Sequence, residues 1–191
     1  MNNIVYLDDF INIYSKKNKR IIVEESSDIL KKGKIINTRK FIEKFETIKK
    51  SNKLNTLVKD NIYIIINNSY DEAYLNSLKQ IFENLNYNKI NYIKEEDLLN
   101  VNNKSIFINT SLNYFELLYY YGKELICDYL DLNELNLKIL ITIINFLNLK
   151  EIYLFGKNKN IVKSELINNQ IKYYEYSSSE NLYIKICLQK M

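Results

Sequence analysis

Histidine, proline and tryptophan are absent from this sequence of 191 residues, and glycine occurs only three times. Without imidazole, the chain cannot form Ser-His or Cys-His nucleophile pairs, or a zinc site that uses histidine. Three isolated glycines cannot form a glycine-rich phosphate loop or a dinucleotide-binding fingerprint. These absences exclude several large classes of enzyme.

Cysteine is also scarce, with single residues at Cys127 and Cys187. Each lies among apolar neighbours in the sequence, which predicts two buried thiols in a reducing compartment. Cys127 has no activating base nearby in the sequence, so we do not expect it to act as a nucleophile.

Long hydrophobic runs are missing as well. No stretch reaches the roughly 18 apolar residues that a membrane span requires. The amino-terminal segment carries Asp8 and Asp9 where a targeting signal would carry basic residues. We therefore predict a cytoplasmic protein that does not insert into a membrane.

The net charge of +4 is not accompanied by a basic cluster of the kind that binds nucleic acid. Lys, Asn, Ile and Tyr are all abundant, as an AT-rich coding sequence would produce, so lysine content alone indicates little. The one dense basic run falls where a hairpin turn is expected and comprises Lys16, Lys17, Lys19 and Arg20. A solvated turn is favoured over a phosphate-contacting loop, and nucleic acid is not expected as a partner.

The sequence does contain a 47% share of hydrophobic residues, which indicates a globular chain. Short apolar runs predict strands, and apolar residues at helical spacing predict helices. In the first half, strands are expected at 3–7, 10–15, 20–24, 61–67 and 90–93, with a turn or helix at 95–99. One helix is expected at 37–50, capped by Asn37 or Thr38, and another after a capping box formed by Ser69 and Glu72.

The second half repeats this order. Strands are expected at 105–110, 114–121, 123–130, 152–155, 171–174 and 182–188, with a short helix at 161–168. A longer helix, capped by Asp131 and Glu134, runs to about Leu147 and has apolar residues around most of its circumference, which predicts full burial. The pattern βββαβαβ thus occurs twice, in a predicted first lobe at 1–104 and a second lobe at 105–191.

This duplicated order resembles the fold of actin and the Hsp70-type ATPases, in which two RNase H-like lobes face one cleft. The likeness is carried by the stretches 60–99, with its acidic ending Tyr-Ile-Lys-Glu, 106–132 and 152–161. These are similar to the strand–helix–strand segment, the second phosphate loop and the adenosine loop of bacterial actin-like proteins of the MreB, FtsA and PilM kind. The resemblance implies an α/β fold of two minimal lobes without large subdomain insertions.

The motifs that hold nucleotide in that family are altered here. The family's second phosphate loop reads approximately Asp-x-Gly-x-Gly-Thr-Thr-Asp/Glu, whereas this chain reads Asn-Thr-Ser-Leu-Asn-Tyr-Phe-Glu from Asn109. An amide therefore replaces the metal-binding carboxylate, and side chains such as that of Ser111 replace the glycines. The first phosphate loop becomes Asp8-Asp9-Phe10 without glycine, and the adenosine loop keeps only Gly156 of its usual pair. We expect these to be degenerate nucleotide positions that bind no cofactor or metal.

Three pairs of adjacent carboxylates are the remaining candidates for acid–base chemistry: Asp8 with Asp9, Glu24 with Glu25, and Glu95 with Glu96. Adjacent residues on a strand point to opposite faces and seldom converge. We interpret all three pairs as solvated turns and predict that the chain is not an enzyme.

The aromatic run Tyr119-Tyr120-Tyr121 is the candidate surface for a partner. On a strand its rings alternate between faces, so burial of one face against a helix is the competing interpretation. Four further tyrosines near the carboxyl end extend the same ambiguity, namely Tyr173, Tyr174, Tyr176 and Tyr183.

Together, the resemblance and the altered loops predict a non-catalytic actin-like scaffold or protein-binding domain in a membrane-associated cytoplasmic assembly for cell division, cell shape or pilus construction. Its partner would be a protein, such as a cytoplasmic segment of a membrane protein, and the oligomeric state stays open. The alternative is a nucleotide-binding ATPase or polymer in which Asp8 or Asp9 takes the first-loop carboxylate role.

Overall fold

A computed structural model describes residues 2–15, 18–54, 60–67, 69–176 and 182–190. The chain divides into two compact units, the first comprising Met1–Leu98 with Ile186–Met191 and the second Leu99–Lys185. In the predicted basic turn, Lys16 and Lys17 lie outside the described residues. No helix in the described part of the chain has the length and hydropathy needed to cross a membrane.

The first unit contains a five-stranded sheet and two main helices. Its elements are β1 (Asn2–Leu7), β2 (Phe10–Ser15), β3 (Arg20–Glu25), β4 (Leu30–Lys31), β5 (Lys34–Ile35), α1 (Thr38–Ser51), β6 (Asp60–Ile66), α2 (Glu72–Asn84), β7 (Tyr87–Lys94) and α3 (Glu95–Leu98). The sheet order is β3-β2-β1-β6-β7, antiparallel among the first three strands and parallel from β1 to β7. The strands β4 and β5 form a separate small hairpin.

Strand β6 lies in the interior of this sheet, as its apolar β-branched sequence predicts. Ile62, Ile64, Ile65 and Ile66 are all buried, so the strand is covered on both faces. The helices pack through aromatic rings, with Phe41 and Phe45 of α1 contacting Phe82 of α2 edge to face.

The two main helices of this unit begin at side-chain caps. The Asn37 side chain accepts a hydrogen bond from Lys40 N at the start of α1, as predicted. The predicted capping box of α2 is wrong, because Asp71 is the cap and accepts from Tyr74 N at 2.7 Å. Ser69 instead bonds the side chain of Asn67 through both its amide and its hydroxyl.

The second unit repeats the topology. Its elements are β8 (Ser105–Thr110), β9 (Tyr114–Tyr121), β10 (Glu124–Asp131), α4 (Glu134–Phe146), β11 (Glu151–Gly156), α5 (Lys159–Asn168) and β12 (Tyr174–Glu175), and the chain continues into α6 (Leu182–Lys190). The sheet order is β10-β9-β8-β11-β12, with the same antiparallel and parallel pairings as in the first unit. The predicted α/β fold with a duplicated βββαβαβ order is confirmed.

Two predictions near the carboxyl end are wrong. The segment predicted as a strand at 182–188 is α6, in which Tyr183, Ile184 and Cys187 are buried at helical spacing. The strand predicted at 171–174 is reduced to the two residues of β12. Short apolar runs fit either element type, and here the helical spacing of the buried residues decides.

Helix α4 differs from its prediction in its cap and in its burial. Asn133 is the cap, and its side chain accepts from Asn136 N at 2.9 Å. The helix is not fully buried, since Leu135, Ile139 and Phe146 are exposed to solvent while the opposite face packs on the sheet. Apolar sequence all around a helix therefore does not mean that the whole helix lies in the core.

Candidate functional site

The side chain of Asp8 forms hydrogen bonds within the turn between β1 and β2. Asp8 Oδ1 accepts hydrogen bonds from Phe10 N at 2.6 Å and from Asn12 Nδ2 at 3.2 Å. Asp8 N donates to Phe10 O at 3.1 Å, so both amides bond within the turn. Asp8 and Asp9 are 7% and 3% exposed, and their prediction as a solvated pair is wrong because the turn folds inward.

A second segment covers the end of β1. Gly33, in the β4–β5 hairpin, has φ of +76°, and a Cβ atom there would lie 2.8 Å from Leu7 O and 2.7 Å from Tyr70 Oη. The Tyr70 hydroxyl donates to Gly33 O at 2.7 Å and fixes the hairpin in this position. Ser26 N also donates to Asp9 O at 2.8 Å. The chain itself thus occupies the space beside the first turn.

The turn between β8 and β9 carries the predicted positions Asn109 and Ser111, which are 5% and 1% exposed. Ser111 N donates to Tyr114 O at 2.9 Å, which makes the turn tight. Asn158 Nδ2 donates to Leu112 O at 2.9 Å, so this turn is also bonded to the loop that follows β11. The two loops therefore hold each other in place.

Gly156 ends β11 in close contact with Thr110 of β8, its partner in the parallel register. Its φ is +101°, and a Cβ atom would lie 2.1 Å from Thr110 O and 2.6 Å from Thr110 N. Lys157 N donates to Thr110 O at 2.8 Å, and the Thr110 hydroxyl donates to Phe155 O at 3.0 Å. This glycine permits backbone contact between two strands.

Glu116 on β9 is the buried carboxylate on which the side chains around this turn converge. Its Oε2 accepts from Asn109 Nδ2 at 3.2 Å and from Tyr183 Oη at 3.3 Å. Its Oε1 accepts from Tyr129 Oη at 2.8 Å and from Cys127 Sγ at 3.6 Å. With 1% of the residue exposed, the carboxylate has little access to water, and these donors stabilise both of its oxygens.

Glu116 is the final residue of the altered loop but is not among the site residues predicted from the sequence. The pairing register was the available signal, because Asn109 and Tyr129 both lie directly opposite Glu116 on neighbouring strands. The same register brings Cys127 within reach of a carboxylate that looked distant in sequence. Cys127 is half-buried, in contrast to its prediction, whereas Cys187 is buried as predicted.

The remaining carboxylate pairs divide between surface and interior. Glu24 and Glu25 are exposed, in agreement with their interpretation as solvated residues. Glu95 is 2% exposed, so its interpretation as a solvated residue is wrong, whereas Glu96 is half-buried. Glu95 begins α3 directly after β7, and this position carries its side chain inward.

The tyrosines of the predicted partner surface do not form one exposed patch. Tyr119 is 8% exposed and its hydroxyl donates to Asp128 Oδ2 at 3.1 Å. Burial, together with the nearby Asp128 carboxylate, raises the pKa of Tyr119 to about 12. Tyr120 is half-buried, and Tyr121 is 56% exposed. Of the three, Tyr121 alone presents most of its ring to solvent.

An ion-pair cluster connects the start of α5 to β12. Lys159 Nζ and Lys163 Nζ each lie 2.8 Å from one oxygen of the Glu175 carboxylate. The hydrogen bond from Lys159, followed by that from Lys163, lowers the pKa of Glu175 from 4.5 to about 2. Lys159 also donates to Tyr176 O at 2.8 Å, so this cluster anchors the two-residue strand.

We expect this cluster to make stability depend on pH in the acid range. The folded pKa of Glu175 lies below its ordinary value, so its stabilisation is complete above pH 4.5 and is lost as the pH falls toward 2. Glu175→Gln should lower the melting temperature at neutral pH and reduce its fall between these two pH values. Thermal denaturation at a series of pH values checks this. Glu165→Gln on α5 is the control, and an unchanged slope in Glu175→Gln would contradict the prediction.

Comparison with known proteins identifies the fold through structure alone. No protein-family model and no curated protein sequence matches this chain. A Bacteroides thetaiotaomicron protein with an actin-like ATPase fold and unknown function superposes with a TM-score of 0.60 and 11% identity, over 98% of this chain and 95% of that chain. MreB5 of Spiroplasma citri bound to AMPPNP gives a TM-score of 0.64 and 11% identity, over the same shares.

A third similar structure is the filament of AlfA from a Bacillus subtilis plasmid, with a TM-score of 0.58 and 9% identity over 100% of this chain and 98% of that chain. Identities this low carry fold information and do not transfer function. Sheet order, duplication and these superpositions agree, and we conclude that this chain has the actin-like fold.

Proposed function

We propose that this chain is a non-catalytic actin-like protein that acts as a scaffold or protein-binding domain in a membrane-associated assembly. The observation that carries the proposal is that backbone amides at the altered nucleotide loops are already bonded within the chain. The amides of Asp8, Phe10, Ser111 and Lys157 all donate to oxygens of their own unit. In the proposed role the chain binds a protein, such as a cytoplasmic segment of a membrane protein, and does not bind a nucleotide.

Phosphate loops work because several backbone amides point at the ligand and glycines let it approach. Here the Asp8 side chain takes the Phe10 amide, and the Asp8 and Asp9 carboxylates would repel a polyphosphate. The Gly33 hairpin packs against Leu7 O at the end of β1. The residues present at this turn therefore do not fit a triphosphate.

The second turn does not fit a metal-bound phosphate either. Mg²⁺ in phosphate sites is usually bound through a carboxylate, and Asn109 offers an amide whose nitrogen already donates to Glu116. Glu116 accepts hydrogen bonds at both oxygens and is buried. Neither residue therefore offers a solvent-facing carboxylate to a metal-bound phosphate.

The assembly role rests on different support. Among the structurally similar proteins, AlfA was solved as a filament and MreB5 of Spiroplasma citri was solved bound to AMPPNP. We extend to this chain the capacity to associate with other proteins and not the capacity to bind nucleotide. The alternative, a nucleotide-driven polymer, would require the two turns to open.

The expected result with Mg-ATP, Mg-ADP or Mg-AMPPNP is an unchanged melting temperature. A ligand at one hundred times its dissociation constant would stabilise the fold by about 2.7 kcal/mol, which thermal denaturation detects readily. Affinity purification from the native host, with and without Mg-ATP, should recover the same partner. A saturable rise in melting temperature, or a partner recovered only with Mg-ATP, would favour the nucleotide-driven polymer.

A further inference from the structure

The second unit contains a hollow of about 270 Å³ at the carboxyl end of α4. Its floor is apolar and comprises three buried residues and one half-buried residue, namely Ile144, Leu149, Ile152 and Ile171. Four exposed polar residues complete the lining, namely Asn145, Asn148, Lys150 and Lys172. The hollow therefore combines an apolar floor with a basic rim.

The charge of this rim is not balanced from within the hollow. None of the described residues that line it is acidic. Glu151 is next to Ile152 on β11, but adjacent residues of a strand point to opposite faces of the sheet. Its carboxylate bonds Asn102 Nδ2, at 3.0 Å, and the side chain of Tyr153, which shares that opposite face. The hollow thus offers positive charge to a ligand.

The corresponding place in the first unit holds an aromatic ring. Because the two units repeat one topology, α2 corresponds to α5, and each is followed by a residue with positive φ, Asn86 or Gln170. The amide of each donates to a carbonyl three residues earlier. The next residue is Tyr87 in the first unit and Ile171 in the second. Tyr87 is 5% exposed, and its ring packs edge to face on Phe45 of α1, with centroids 6.3 Å apart.

The ends of α1 and α4 correspond in the same way. Each helix is followed by a residue with positive φ and then by a buried leucine, Leu54 or Leu149. The Leu54 amide donates to Lys49 O at 2.8 Å and the Leu149 amide to Ile144 O at 3.0 Å, so Lys49 and Ile144 are equivalent. In the first unit, Lys49 Nζ lies 5.1 Å from the centre of the Tyr87 ring. In the second unit, both equivalent residues are isoleucines that line the hollow.

We propose that this hollow binds an aromatic side chain of a partner protein, presented by an acidic segment of that partner. The inference rests on the proposed protein-binding role. A tyrosine ring beside a lysine is what the first unit places at the equivalent position, and Lys150 and Lys172 would attract carboxylates that flank the ring. The volume lies just below the range of about 300–1,000 Å³ for small-molecule pockets, so it suits one side chain better than a cofactor.

A model peptide provides the direct test. The isotope-labelled full chain is titrated with a seven-residue peptide that carries one tyrosine between two runs of three aspartates. The backbone amide resonances of the hollow should shift, among them those of Asn145, Asn148 and Lys172. The dissociation constant should be roughly hundreds of micromolar, since one anchor residue carries the contact. Matched peptides with alanine for tyrosine, or lysine for aspartate, should bind at least about tenfold more weakly.

Ile171→Tyr tests whether the hollow accepts a ring. This variant introduces the residue of the first unit, so its melting temperature should equal or exceed that of the wild type. The new ring should also weaken peptide binding by at least about tenfold, because it fills the site. Ile167→Tyr is the matched control, since Ile167 is 55% exposed on α5, and it should bind as the wild type does. A melting temperature that falls in Ile171→Tyr but not in Ile167→Tyr would overturn the proposal.

Charge variants test the rim. Lys150→Glu and, separately, Lys172→Glu should each weaken binding of the aspartate peptide by about threefold or more. Lys138→Glu makes the same change in net charge at an exposed position of α4 outside the hollow and should have little effect. Added salt should weaken wild-type binding, because opposite charges attract across the rim. Equal effects of all three variants would show attraction by net charge alone and overturn the proposal.

Two other results would also overturn it. One is the absence of saturable peptide binding up to about 5 mM. The other is binding to phosphatidylserine vesicles without binding to the tyrosine peptide, which would assign the rim to an anionic membrane surface.

Affinity purification from the native host separates this inference from the proposed function. A partner recovered equally by the wild type and by Ile171→Tyr would exclude the hollow as its site and leave the protein-binding role in place. Peptide binding at the hollow without a recovered host protein would support the hollow and count against the proposed function.

Discussion

Gly156→Ala is expected to destabilise the fold by about 3 kcal/mol or more. Two effects add. The φ of +101° is strained for any residue with a Cβ atom, and the added methyl carbon would lie 2.1 Å from Thr110 O. Thr110 cannot move away easily, because its backbone and hydroxyl bond Lys157 and Phe155. Urea denaturation of the purified variant measures the loss.

Gly122→Ala separates the backbone effect from the steric one. Gly122 also has a positive φ, of +62°, but a Cβ atom there would have nothing within 4 Å. Its substitution should cost about 1 kcal/mol, the penalty of the left-handed conformation alone. If the two variants lose the same free energy of unfolding, the contact between Gly156 and Thr110 is not what requires glycine.

Glu116→Leu is expected to destabilise the fold by a similar amount, about 3 kcal/mol or more. The substitution keeps the approximate volume of the side chain and removes both acceptors. Asn109, Tyr129 and Tyr183 would then face methyl groups in a site where Glu116 is 1% exposed. The loss of a buried hydrogen bond to a charged acceptor costs about 1–3 kcal/mol, and Asn109 and Tyr183 each lose one. Chemical denaturation gives the change in the free energy of unfolding.

Two further variants distinguish a structural role from a catalytic one. Glu116→Gln keeps one acceptor and should lose less stability than Glu116→Leu, whereas Glu124→Leu, at the exposed start of β10, should be nearly neutral. Residues retained for catalysis often carry a stability cost that their replacement relieves. A more stable Glu116→Gln variant, combined with loss of ATP hydrolysis, would therefore contradict the structural role and support the alternative function.

The order of the strands and main helices could be predicted because local patterns agree with the fold. The β-branched run of β6 and the helical spacing of Phe41, Phe45 and Ile48 in α1 are signals that their own segments carry. Helix α6 was predicted as a strand because its short apolar run is equally compatible with either element. Its element type follows from packing, which a single segment does not reveal.

The candidate site could be located but not described from sequence. Asn109 and Gly156 were predicted at the altered phosphate and adenosine loops, and the parallel register of β8 and β11 brings them together. The inward position of Asp8 and the complete set of donors around Glu116 could not be predicted, since the strand register accounts only for the donors on β8 and β10. Tyr183, one of those donors, lies 67 residues away along the chain, so its contact depends on the finished fold.

The tight turns also affect how each unit folds. The turns after β1 and β8 join strands that pair antiparallel with their immediate neighbours in sequence. Closing a short loop loses little chain entropy, and isolated hairpins form in roughly microseconds. Strand β6 pairs with β1, and β11 with β8, across a connection that contains a helix, so these parallel pairs form over a longer stretch of chain. We therefore expect folding of each unit to begin at its three consecutive antiparallel strands, β1–β3 or β8–β10. The parallel strands β6 and β11 should join in a slower step.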